Sequence, residues 1–306
     1  MKSNEIKVTI IISAYNVEQY IEKSVRSVLT QLPDDYELII VDDFSDDGTW
    51  EIISSSYSNV KNIVLIRQPE NKGLSASRNT GIKMARGDWI VFLDGDDTLT
   101  STALSEISKE ISEETDLIVY GYNKVDESQN VLLSFLPKNE VGSIYTAAWN
   151  KAYKRELIQD LKFPEGMCFE DMAFTAIAFL EAQQVVLIRK PLVNYLKRQS
   201  SITQSTNTAN HLDAIQVLSE LVHFSKSQVF DKRVLQDVNR IINKQLFVHM
   251  YGVLTSTIDL QQKKEFVKKF IVSKREWKTG YSFDKNVLKQ IKDLLYWGAA
   301  TLWVRR

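Results

Sequence analysis

The sequence predicts an α/β protein: a mostly parallel, twisted sheet flanked by helices, followed by a helical C-terminal part. Three observations carry this. Short apolar runs alternate with stretches whose apolar residues recur every three or four positions. Gly48, Gly73, Gly81, Gly87 and Gly95 stand where strands and helices begin or end. From about Ala209 the helical period takes over almost to the end. At 306 residues the chain can bury two cores, and we expect residues 1–205 to form the α/β domain and 206–306 the helical one.

Lys7 to Ala14 and Tyr36 to Val41 are β-rich apolar runs. Between them, Val17 to Leu32 carries Ile21, Val25, Val28, Leu29 and Leu32 at helical spacing. A second unit follows: a helix at Thr49 to Ser56, a strand at Ile63 to Arg67, a helix at Ser75 to Ala85 and a strand at Trp89 to Leu93. Strand–helix alternation of this kind specifies parallel pairing. Beyond Ser101 we expect a helix to Glu114, a strand at Leu117 to Tyr120 and mixed structure to about Lys197. The Ser/Thr/Asn/Gln-rich stretch Ser200 to Asn210 reads as a linker. Leu212, Ile215, Leu218, Leu221 and Val222, then Val238, Ile241, Ile242 and Leu246, mark the C-terminal helices.

Hydrophobic content of 44% with 25% charged residues is ordinary for a folded soluble protein. The lone Cys168 excludes an intramolecular disulfide and offers no cysteine cluster for zinc, so a reducing compartment is expected. The apolar run Val8 to Ile12 is too short for a signal-peptide core, and no stretch approaches the roughly 18 apolar residues of a membrane span. The expected location is the cytoplasm. Net charge is divided: residues 206–306 hold 17 Lys and Arg against 9 Asp and Glu, which makes the last third basic and the remainder acidic.

The strand at Trp89 to Leu93 ends in Asp94, Gly95, Asp96 and Asp97. The rim beyond strand carboxyl ends is where parallel sheets bind ligands, and carboxylates this close repel one another unless a cation sits among them. Oxygen-only ligands favour Mg2+ or Mn2+, which commonly take one or two carboxylates and complete their shell with substrate phosphates. Asp42 and Asp43 follow another strand. A carboxylate there can accept a hydrogen bond from a base imide nitrogen, while Ser45 or Asp46 can cap the next helix. Asn71 to Gly81 forms a glycine turn opening a helix that presents Ser77, Arg78 and Asn79. Backbone amides at a helix start together with an arginine suit a nucleotide diphosphate.

Four segments, Ile12-Ser-Ala-Tyr-Asn16, Val41-Asp-Asp-Phe-Ser-Asp-Asp-Gly-Thr49, Asn71-Lys-Gly-Leu-Ser-Ala-Ser-Arg-Asn-Thr-Gly81 and Phe92-Leu-Asp-Gly-Asp-Asp97, resemble in order the motif series of the family-2 glycosyltransferases. Two positions depart from the pattern. Ser13 stands where proline is usual and Phe44 where glycine is usual, both near the expected base pocket, so they bear on nucleotide preference.

The resemblance implies a GT-A type catalytic domain that binds a nucleotide-sugar, with UDP the expected nucleotide. It places Ala14, Tyr15, Asn16, Asn71, Gly73, Ser77 and Gly95 along the donor site, Asp42 on the nucleobase and Arg78 on the nucleotide. Asp94 falls at the ribose or metal shell, and Asp96 on a Mn2+ or Mg2+ ion bridging the diphosphate. Phe169-Glu170-Asp171 resembles the family's Glu-Asp motif, which makes Asp171 the expected general base of an inverting transfer and Glu170 the runner-up. Pieces around Trp149 and Arg198 also resemble bacterial members, implying a sugar-stacking platform and a diphosphate clamp. The expected acceptor is a hydroxyl of a bacterial surface glycan, free or lipid-linked.

Residues 285–306 set Lys285, Lys289, Lys292, Arg305 and Arg306 beside Trp297 and Trp303. That combination suits an interfacial helix on an anionic membrane; packing against earlier helices or a homodimer contact is the competing reading. No recognition motif accompanies the charge, so nucleic acid is not an expected partner. His211, His223 and His249 all fall in the helical region and are not expected to ligate metal. A pyrophosphorylase is disfavoured because Ile12 to Val17 contains no glycine. A non-catalytic nucleotide-sugar-binding subunit is the alternative to an enzyme.

Overall fold

The computed structural model describes residues 7–138, 146–198, 208–230, 232–255 and 260–277. In chain order the elements are β1 (Val8–Ala14), α1 (Ile21–Leu29), β2 (Tyr36–Asp42), α2 (Thr49–Tyr57), β3 (Ile63–Arg67), α3 (Leu74–Met84), β4 (Trp89–Asp94), β5 (Thr98–Leu99) and α4 (Ala103–Glu110). They continue with β6 (Leu117–Val125), β7 (Val131–Phe135), β8 (Lys151–Lys154), α5 (Arg155–Ile158), α6 (Asp171–Glu181), β9 (Val185–Leu196), α7 (Thr208–Ser227), α8 (Lys232–Thr255) and α9 (Leu260–Glu276).

Among the described residues the strands form one sheet in the order β3-β2-β1-β4-β8-β6-β9-β5, with β7 added on β6. β3, β2, β1 and β4 are mutually parallel, as the strand–helix alternation requires. Past Asp94 the sheet becomes mixed: β8 runs antiparallel to both β4 and β6, whereas β9 is parallel to β6. The chain lays down β1, β2 and β3 in one direction and then returns to place β4 on the other side of β1. This reversal is the topological switch point where open α/β sheets bind ligands.

Every residue of β1 and β2 is buried, because helices cover both faces of a parallel sheet. One of them is Glu37. It is satisfied by its register partner Thr9, whose Oγ1 donates at 2.7 Å, and by the backbone and guanidinium of Arg86. α1 turns Ile21, Ser24, Val25 and Val28 inward, the spacing of a single helix stripe. α3 lies so close to the sheet that a Cβ on Gly81 would come within 2.4 Å of Ile11 Cγ2.

Several element limits differ from the sequence reading. α1 starts at Ile21, since Val17–Tyr20 is a turn whose carbonyl at Val17 accepts from Tyr20 and Ile21. α4 ends at Glu110 and β6 runs on to Val125. By contact the chain divides into two compact units, and Met167–Ile177 groups with the C-terminal helices rather than with the sheet. The expected linker lies outside the described residues up to position 207, and Thr208 already opens α7; the basic tail, 285–306, lies outside them as well. Among the described residues no helix is long and apolar enough to cross a membrane.

Candidate active site

The parallel register brings three strand ends together. Ala14 of β1 is level with Asp42 of β2, and Ser13 is level with Asp94 of β4. With about 4.8 Å between neighbouring strands, the backbones at Asp42 and Asp94 flank the end of β1 roughly 10 Å apart. The turn after β4 is pinned to β1 by the Gly95 N–H, which donates to the Ser13 carbonyl at 2.9 Å. A Cβ at Gly95 would lie 3.0 Å from that carbonyl and 3.3 Å from Ala14 Cα, so a side chain there would crowd the acidic turn against the end of β1.

The loops after β1 and β2 are laced together. Ser45 Oγ accepts from the Asn16 N–H, Asn16 Oδ1 accepts from the Asp46 N–H, and Thr49 Oγ1 accepts from the Val17 N–H. Asn16 and Phe44 both adopt left-handed backbone, with φ of 50° and 61°. For Phe44 this explains why glycine is usual there in the family it resembles. Tyr15 and Phe44 are both exposed. Asn71 is exposed too, in the loop ahead of Gly73.

Asp42, expected on a nucleobase, is instead fully buried. Its carboxylate accepts from the backbone and hydroxyl of Ser45, and Arg67 Nε lies 3.4 Å away. Arg67 in turn sits over the rings of Phe44 and Trp50 at 5.2 and 5.6 Å. These contacts tie the loop after β2 to the strand end.

Asp43, named beside Asp42 in the sequence but given no separate role there, builds the neighbouring turn. Its Oδ1 accepts from the Lys72 N–H at 2.9 Å and Oδ2 from the Gly73 N–H at 2.7 Å, while Gln68 also donates to it. Burial pushes the Asp43 carboxyl upward and these donors oppose the shift. The tether sets the entry to α3. Ser77 and Arg78 are buried there, and Arg78 Nη2 donates to Asp94 Oδ1 at 2.9 Å with its guanidinium 5.3 Å above the Phe163 ring. Asn79, one position on, exchanges two hydrogen bonds of 2.9 Å with the backbone of Phe163 and so fixes that ring in place.

The three carboxylates after β4 separate by environment. Asp97 is 1% exposed; its Oδ1 accepts from the Leu196 N–H at 2.8 Å, and Oδ2 has no hydrogen-bond partner among the described residues. Burial, then the charges of Asp96 and Asp94, drives its carboxyl well above the usual range. Asp97 therefore ties the turn to the end of β9. Asp94 and Asp96 keep 22% and 19% side-chain exposure, and Asp96 Oδ2 pairs with Arg198 Nε at 2.8 Å. Burial and the neighbouring Asp94 raise the Asp96 carboxyl, and Arg198 counters them.

Among the described residues no three His, Cys, Asp or Glu side chains gather as a metal site. Two partly exposed carboxylates still fit a hard divalent ion that draws the rest of its shell from a diphosphate. Trp149, expected as a sugar platform, is 4% exposed and stacks on Tyr195 with centroids 5.3 Å apart. It packs as a core aromatic instead of offering a ring to solvent.

In the second unit Asp171 opens α6, and its carbonyl accepts from Thr175 Oγ1. Glu170 and Asp171 are half-buried. The preceding Phe169 has a left-handed φ of 63°, stacks on His211 and meets His249 edge-on at 4.4 Å. The two histidines share an Nδ1–Nδ1 contact of 3.0 Å. Burial, reinforced by His211, pushes His249 down to about 3, so the pair is neutral near pH 7 and one ring donates to the other. Sequence reading placed both rings on helices but had no means of pairing residues 38 apart.

A model of the family described as Glycosyl transferase family 2 matches residues 9–177. An uncharacterized glycosyltransferase of Bacillus subtilis, EpsJ, is 32% identical over 219 residues, 64% of this chain and 63% of its own length. The poly(ribitol-phosphate) beta-N-acetylglucosaminyltransferase TarS of Staphylococcus aureus is 27% identical over 226 residues, 70% of this chain and 39% of that one. Among solved structures, residues 1–349 of S. aureus TarS in complex with UDP-GlcNAc share the fold with a TM-score of 0.74 at 22% identity, covering 87% of this chain and 81% of that one. The chain spans from 32% to 63% of the length of the first curated relatives it matches.

Proposed function

The chain belongs to Glycosyl transferase family 2, and we propose that it is an inverting, metal-dependent glycosyltransferase that uses a UDP-sugar to glycosylate a hydroxyl of a bacterial surface glycan. One observation carries this reading: Ala14, Asp42 and Asp94 end adjacent strands at the topological switch point, with Asp96 partly exposed beside them. UDP is favoured because the TarS complex, on the same fold, holds UDP-GlcNAc. A surface-glycan acceptor is favoured because TarS is a poly(ribitol-phosphate) beta-N-acetylglucosaminyltransferase.

In this reading the loops after β1 and β2 receive the nucleoside, with Asp42 and Asp43 supporting them from below. The ring carried by Phe44 takes part in shaping the base site. Asp96, with Asp94 in support, would hold Mn2+ or Mg2+, and Arg78 keeps Asp94 in place. When bound there, such an ion would offset the negative charge of a departing nucleoside diphosphate. Asp171 accepts the proton of the acceptor hydroxyl while its oxygen bonds to the anomeric carbon and the bond from that carbon to the diphosphate breaks. A single displacement of this kind converts an α-linked donor into a β-linked product. Glu170 is the alternative base.

The test is turnover of UDP-GlcNAc in the presence of Mn2+. We expect release of UDP by the unaltered chain, no release by Asp96→Ala, and retained UDP binding with lost transfer in Asp171→Asn. Unchanged transfer by Asp171→Asn refutes the base assignment. UDP bound by the unaltered chain but never released from the sugar, across acceptors, points to a non-catalytic subunit.

A further inference from the structure

We propose that Arg198 is a built-in counter-cation for Asp96 that leaves this carboxylate only for a donor diphosphate, so that the divalent ion and the nucleotide bind as a coupled pair. The inference rests on the metal-using reading of Asp96 given above. It concerns what occupies that carboxylate before the donor arrives.

Each carboxylate of the acidic turn has its own partner. Asp94 is held by Arg78, Asp97 by the Leu196 backbone, and Asp96 by Arg198 at 2.8 Å. An ion coordinated through Asp96 would lie within a few ångströms of the Arg198 guanidinium, and two positive centres that close repel strongly in partly desolvated surroundings. Arg198 and the ion therefore compete for one carboxylate.

The arginine is placed for this exchange. The Leu196 N–H is fixed on Asp97 and the Lys197 N–H on the Val125 carbonyl, which anchors the backbone immediately before Arg198. Its guanidinium rests 5.4 Å from the centre of the Tyr20 ring. Arg198, Tyr20, Asn16, Glu18 and Asp47 wall a polar cleft of about 200 Å3. A diphosphate offers the guanidinium a bidentate partner carrying more charge than one carboxylate. Once Arg198 turns to it, Asp96 is open to the ion. Ion and nucleotide must then raise each other's affinity by the same factor.

The experiment measures Mn2+ affinity of the full chain by titration with electron paramagnetic resonance, alone and with saturating UDP, for the unaltered protein, Arg198→Ala and Arg198→Lys. Without UDP, Arg198→Ala should bind Mn2+ at least about tenfold more tightly, the scale on which one adjacent charge moves a carboxylate equilibrium. Arg198→Lys, which keeps the charge, should stay near the unaltered protein. UDP should strengthen Mn2+ binding much more in the unaltered protein than in Arg198→Ala. The inference is overturned if Arg198→Ala binds Mn2+ alone no more tightly, even though the unaltered chain takes Mn2+ with UDP. Should the unaltered chain take up no Mn2+ with UDP present, the metal-dependent reading itself falls, and this inference with it.

Discussion

Replacing Asp43 by Asn exchanges one oxygen for an amide and should loosen the entry to α3. Asp43 accepts two backbone N–H groups, one on each oxygen, from Lys72 and Gly73. Whichever way the Asn amide is turned, one of these N–H groups faces an NH2. The loss is one hydrogen bond to a charged acceptor, about 1.5–3 kcal/mol. Taking about 2 kcal/mol, the turn should open roughly thirtyfold more often, since each 1.4 kcal/mol is a factor of ten. Amide hydrogen exchange followed on a peptide covering residues 68–74 reads this directly, and UDP affinity should fall with it because Ser77 and Arg78 follow the turn. Asp46→Asn is the control: Asp46 is exposed and contributes only its backbone N–H, so a change within about 0.5 kcal/mol is expected. Exchange at Lys72 and Gly73 as slow in Asp43→Asn as in the unaltered protein would refute the reasoning.

Gly81→Ala places a methyl group 2.4 Å from Ile11 Cγ2, and overpacking of about 1–3 kcal/mol should outweigh the gain in helix propensity of up to about 1 kcal/mol. Urea unfolding should show a net loss that Ile11→Ala in the same chain partly reverses; independent, additive effects would contradict the packing. For His249 the sign is set by a native value of about 3 against an ordinary 6.5. Between those values the unfolded chain binds more protons, so the stability contribution is present above the ordinary value and is lost as pH falls toward about 3. Thermal melts between about pH 4 and 7 should therefore drop more steeply on acidification for the unaltered protein than for His249→Gln. Parallel slopes would show that His249 titrates normally.

The part of the fold that carries the candidate site is readable because β1, β2 and β4 are apolar runs buried on both faces, and β2 and β4 each end at an acidic turn. Parallel pairing then forces Ala14, Asp42 and Asp94 to one edge. The antiparallel half was not readable: β7 is exposed at all five positions and β8 is only four residues long, so neither shows a period. Within the site, residue types indicated carboxylates but not their surroundings. Asp42 and Asp43 look alike in sequence, yet one is enclosed by Ser45 and Arg67 while the other anchors Lys72 and Gly73. Asp96 and Asp97 likewise diverge because only Asp97 meets the Leu196 N–H, a contact between residues 99 apart. Long-range pairings of this kind decide burial, and burial decides which carboxylates remain open to a ligand.

The most direct test is anomalous diffraction at the manganese edge from crystals grown with MnCl2 and UDP-GlcNAc. The account predicts a single strong peak within coordination distance of an Asp96 oxygen, with diphosphate oxygens completing the shell and Arg198 turned onto the diphosphate. A nucleotide bound with no manganese at Asp96, or manganese held away from the edge formed by β1, β2 and β4, would contradict it.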